Sequence, residues 1–153
     1  MKTQIYFLSM LFFLTVSVKS ANAHCEIPCG IFTDSLRIEL IAEHITTIEK
    51  SMKKIEELSQ EDDEDYHTII RWTINKEEHA KKIQEIVAHY FMHQRIKPVE
   101  KTSSAYNIYL KQLTLAHQLQ ILAMKCKQTT DLEYIEKLRT TLSDFSHTYF
   151  HKH

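Results

Sequence analysis

Residues 33–58 read TDSLRIELIAEHITTIEKSMKKIEEL. Ile38, Ile41, Ile45, Ile48, Met52 and Ile55 recur at alternating spacings of three and four, the period of one helix face. Thr33, Asp34 and Ser35 stand just ahead of the stripe as N-cap residues, whose side-chain oxygens can accept the unpaired amides of a first turn. The stretch therefore predicts an amphipathic helix of about 25 residues.

Downstream, the same pattern repeats. SQEDDEDY, residues 59–66, is an acidic break that reads as a solvated loop capping the next helix. A second helix is expected from about His67 to Ile96, burying Ile70, Ile74, Ile83, Val87, Tyr90 and Phe91. Pro98 ends it, and KPVEKTSS is a linker. A third helix spans about Ala105 to Lys127, with Leu110, Leu113, His117, Leu119 and Met124 as core candidates. Thr130-Asp-Leu-Glu133 has the form of a capping box and opens a fourth helix carrying Ile135, Leu138, Leu142 and Phe145. One Gly and two Pro in 153 residues leave little for a turn-rich fold. The fold class is all-α: an antiparallel, up-down four-helix bundle over about 33–150.

Upstream, the chain changes character. Lys2 precedes an apolar run, IYFLSMLFFLTVSV from Ile5 to Val18, and Ala21-Asn22-Ala23 has the small-x-small form of a cleavage site. Residues 1–23 read as a signal or pro-peptide, because a membrane span needs about 20 apolar residues. Losing Lys2 and Lys19 removes two positive charges and moves the formal charge from −1 to −3. A mildly acidic chain without a basic tract gives no support to nucleic-acid binding. No membrane attachment is expected after processing.

The new N-terminus is HCEIPCGIF, residues 24–32, with two of the three cysteines, one of the two prolines and the sole glycine. Pro28 and Gly30 resist helix, so Glu26 to Gly30 reads as a compact turn. Cys25 and Cys29 are compatible with a small disulfide loop, with half of a zinc site, or with no joint role. A fourth reading uses the cut. Cleavage after Ala23 frees the His24 amine beside the Cys25 amide and the two sulfurs, with the His24 imidazole nearby. Two nitrogens and two thiolates in a plane suit Ni(II) or Cu(II).

Other metal patterns are weak. The Glu-x-x-His pattern of a di-iron bundle occurs at Glu64–His67, in the acidic loop, and neither His-Glu-x-x-His nor Cys-x-x-Cys is present. Most of the ten His read as surface residues, and Cys126 as a small buried hydrophobe.

HCEIPCGIF resembles the nickel hook of the nickel-containing superoxide dismutases, roughly His-Cys-x-x-Pro-Cys-Gly-x-Tyr. The resemblance implies His24, Cys25 and Cys29 as ligands of one nickel ion per subunit, cycling between Ni(II) and Ni(III), with superoxide as substrate. Phe32 stands where that family has a Tyr, so the phenol is missing. Arg37-Ile38-Glu39 resembles a segment whose Glu supports the axial imidazole. Lys76-Glu77-Glu78-His79-Ala80 resembles one in which some members place an Arg near the ligand His, here His79. His89-Tyr90-Phe91 resembles a segment with a Tyr by the access channel, which makes Tyr90 a catalytic candidate. The resemblance further implies a homohexamer and a maturation protease. Export, to a periplasm or the exterior, is the expected location, or the cytoplasm if the leader is a dedicated pro-peptide. The rival expectations are an exported nickel- or copper-binding helical module without turnover, and a structural bundle with a Cys25–Cys29 disulfide.

Overall fold

The computed structural model describes residues 28, 30–61 and 65–150. The leader and His24, Cys25 and Cys29 lie outside the described residues. Pro28 and Gly30 occupy turn positions, and Gly30 has a φ of +80°, which an L side chain would oppose. From Ile31 onward the chain is one unit. It contains α1 (Asp34–Leu58), α2 (Tyr66–Glu85), α3 (Tyr106–Gln128) and α4 (Glu133–Phe150). A π-helix, Ile86–Arg95, continues α2 without a break. No strand occurs among the described residues.

Cross-helix bonds fix the topology. Asp34, at the start of α1, meets Tyr90 and Arg95 beyond the end of α2 and Tyr149 at the end of α4. Lys76 in α2 meets the end of α3, and Gln112 near the start of α3 meets Thr148 near the end of α4. Neighbouring helices therefore run antiparallel, and α4 returns against α1. This is the expected up-down bundle.

The α1 stripe lies in the core: Ile41, Ile45, Ile48 and Met52 are inaccessible to solvent. Ile83, Val87, Phe91, Leu119, Ile135, Leu138 and Phe145 meet them from the other helices. Each fully buried Ile, Leu or Phe contributes about 1.5–3 kcal/mol. Phe91, Phe145 and Tyr149 add a triple of ring contacts with centroids 5.0–5.7 Å apart.

Two expected core stripes are corrected. Ile70 and Ile74 are 57% and 56% exposed, and Leu110, His117 and Met124 also face solvent. In α3 Leu119 is buried as expected and Leu113 packs against the core, whereas buried Gln112 and Cys126 each lie two residues past the expected Leu110 and Met124. Two residues turn a helix by about 200°, so Leu110, His117 and Met124 lie almost opposite the core. Ile74 likewise precedes buried Lys76 by two.

The caps differ too. Asp65 caps α2 as expected, accepting from the Thr68 amide at 3.1 Å. Thr33 occupies the α1 cap position without a side-chain cap bond. The capping box at 130–133 does not form. The Thr130 hydroxyl donates to Glu56 instead, and Asp131 accepts from the Glu133 amide at 2.9 Å. Buried Lys76 closes the far end of α3 by donating to the carbonyls of Lys127 and Thr129 at 2.9 and 3.0 Å.

Candidate functional site

The described chain begins its bundle with Phe32, three positions after Cys29 in sequence. The Phe32 ring stands edge-on to Tyr90, centroids 5.8 Å apart, and the Arg95 guanidinium lies 4.3 Å from its centroid. Arg37, one turn into α1, lies over the Tyr90 ring at 5.0 Å. Its Nε is buried and unbonded among the described residues.

Asp34 gathers this end of the bundle. Its Oδ1 accepts from the Tyr90 hydroxyl at 2.6 Å and from Arg95 Nε at 2.9 Å. Its Oδ2 accepts from Arg95 Nη2 at 2.6 Å and from the Tyr149 hydroxyl at 2.8 Å. Burial opposes ionisation of Asp34. The bonds from Arg95, Tyr90 and Tyr149 outweigh it and hold the carboxyl below the usual carboxylate range. Burial and the Asp34 charge push the Tyr90 and Tyr149 phenols up. Tyr90 is therefore a buried hydroxyl already donating to a carboxylate, not an open one.

The π-helix makes this convergence possible. Its i to i−5 pairing appears in the Ile96 amide bonding the Phe91 carbonyl at 2.8 Å, and the Gln94 side chain bonds the His89 carbonyl at 2.9 Å. The wider turn buries Val87, Tyr90, Phe91 and Gln94 together and still brings Arg95 to Asp34.

His79 lies elsewhere. Its Nδ1 is 3.1 Å from Nδ1 of His44, across the α1–α2 interface, with ring centroids 4.9 Å apart. His44 follows Asp34 by ten residues, or about 15 Å along the helix. Burial, reinforced by the Lys82 ammonium, lowers both imidazoles below their ordinary 6.5, and Glu43 opposes the shift. Glu39 is exposed on α1. His79 thus faces His44, Tyr90 faces Asp34, and the two are 11 residues apart in sequence.

Cys126 is buried, and desolvation pushes its thiol up to about 11. Among the described residues no three His, Cys, Asp or Glu side chains converge as a metal site, and no helix is long and apolar enough to cross a membrane. The sequence pattern missed Asp34 as a hub, because an acidic residue ahead of a helix reads first as a cap. It also missed His44, Arg95 and Tyr149. An i to i+61 or i+115 pairing leaves no periodic trace.

A family model described as nickel-containing superoxide dismutase matches residues 19–153. No curated protein and no solved structure matches the chain.

Proposed function

The chain belongs to the nickel-containing superoxide dismutase family, and from that membership we propose that its catalytic centre is built at a processed N-terminus. The enzyme is an oxidoreductase with nickel as cofactor and superoxide as substrate. The observation that carries the proposal is the extent of the match. Residues 19–153 include His24, Cys25 and Cys29 themselves.

The donor chemistry fits the ion. Cleavage before His24 provides an amine, and Cys25 adds an amide nitrogen and a thiolate. Cys29 would add the second thiolate and His24 its imidazole. That set favours a square-planar d⁸ ion. The described bundle offers no competing three-donor cluster, and the Cys126 thiol is buried and protonated. When bound, nickel supplies a one-electron couple between Ni(II) and Ni(III), able to accept an electron from one superoxide and return it to the next.

The chain's own groups do the rest. Cys25 and Cys29 donate electron density that lowers the couple. By the resemblance of Arg37-Ile38-Glu39 to the family's segment, Glu39 would be the residue that supports the His24 imidazole. Phe32 contributes an apolar wall without a phenol proton. Tyr90 keeps its proton and donates it in a hydrogen bond to Asp34, while its ring meets Phe32 edge-on. Arg95 is neutralised by Asp34, whereas Arg37 forms no ion pair among the described residues. Arg37 therefore supplies net positive charge that attracts an anionic substrate. Assembly as a homohexamer and export after proteolysis belong to the same reading. The exposed Ile70, Ile74, Leu110 and Ile121 give other copies an apolar surface to cover.

Nickel content and superoxide disproportionation of the mature protein test this. About one nickel per subunit is expected, with both nickel and activity lost in Cys25→Ser and in Cys29→Ser. Full activity in either variant would overturn the hook.

A further inference from the structure

We propose that His44 and His79, neither of them among the N-terminal donors, form a second binding site for a divalent late transition ion such as Zn(II). Their Nδ1 atoms stand 3.1 Å apart across α1 and α2. Two imidazoles on one ion, each at about 2.0–2.1 Å, have nitrogens about 2.9 Å apart at a right angle and about 3.4 Å apart at the tetrahedral angle. The observed separation falls between these limits, so both rings are already spaced as adjacent ligands.

Orientation agrees with spacing. The rings are inclined by 80° with centroids 4.9 Å apart, closer than two collinear rings at that nitrogen separation would be. The Nδ1–Nδ1 contact is a hydrogen bond between inclined rings, so one ring carries the Nδ1 proton, which moves to Nε2 when an ion takes both nitrogens. Both rings are half-buried on regular helices, which holds the pair in place before any ion arrives. Glu43, next to His44, and Glu78, next to His79, each act electrostatically on His79, and Glu43 acts on both rings. These carboxylates offset part of the ion's charge without converging on it, and Lys82 is the cation that opposes it. Burial favours the neutral imidazole, the form that binds metal. Water completes such a site, which makes it exchangeable rather than structural.

The test is calorimetric titration of Zn(II) into the nickel-loaded mature protein, with the His ring resonances followed by NMR. One further equivalent is expected, shifting the His44 and His79 signals. It is lost, or weakened at least about tenfold, in His44→Ala and His79→Ala whose helical spectra are intact. The same equivalent persists in the double variant His89→Ala/His93→Ala, which removes the stacked exposed pair of the π-helix. No added equivalent, one that survives both single substitutions, or one lost with His89 and His93 would overturn the site. Zinc is counted separately from nickel. A chain that takes zinc here but no nickel therefore contradicts the hook and leaves this site standing.

Discussion

Two polar layers cross the bundle about 15 Å apart, and they are built on opposite terms. At Asp34, a carboxylate receives four hydrogen bonds from Arg95, Tyr90 and Tyr149, and each charge has its partner. At His44–His79, two neutral rings share one close contact. A fully paired ionic layer fixes geometry, because losing any member strands another in a low-dielectric setting. A neutral pair costs little to separate and keeps a lone pair available. The first layer therefore holds the helix ends where the bundle begins, and the second is free to bind.

If that contrast is right, removing Asp34 has the largest effect on stability. Asp34→Ala strands Arg95 and two phenols and is expected to cost about 3 kcal/mol in denaturant unfolding. A loss below about 1 kcal/mol would place the layer among ordinary surface ion pairs. Tyr90→Phe removes one bond to a charged group and is expected to cost about 1.5–2 kcal/mol. It should lower turnover less than about tenfold, because the hydroxyl is committed to Asp34. A drop of 10²-fold or more would make Tyr90 a proton donor.

How much of this was legible in the sequence depends on how local the signal was. The α1 stripe and the acidic loop capped by Asp65 could be read directly, because both depend on neighbours within a few residues. The α3 register could not. Leu110, His117 and Met124 mark one apolar row and Leu119 and Cys126 another, and only the packing of α2 and α4 chooses between them. The π-helix left no mark either, since Ile86–Arg95 has the composition of an ordinary helix. Among the candidate residues, Phe32 and Tyr90 are brought together, and His79 meets His44. The proposed hook could be read because its candidate donors all lie within residues 24–29.

Acid separates the two layers in a third way. Both imidazoles have folded pKa values below 6.5, so the unfolded chain binds more protons there. Their contribution is complete above pH 6.5 and is lost as pH falls toward the folded values. The Asp34 contribution persists to lower pH, because its folded pKa lies below the carboxylate range. Stability measured from pH 7.5 to 3 should therefore decline in two stages, and His44→Gln/His79→Gln should flatten the first. A first stage unchanged in that variant would assign it to other groups. The smallest expected effect is on encounter with substrate. Arg37→Ala should lower kcat/KM a few-fold, and the deficit should shrink as salt screens the field. A deficit indifferent to salt would remove the steering role.

The central claim rests on a free amine at position 24. Its most direct test compares nickel content and superoxide disproportionation in two chains, one beginning at His24 and one carrying a single extra residue before it. The first is expected to hold about one nickel per subunit and turn over, and the second to lose its activity. Equal activity in both would contradict a centre that uses the His24 amine.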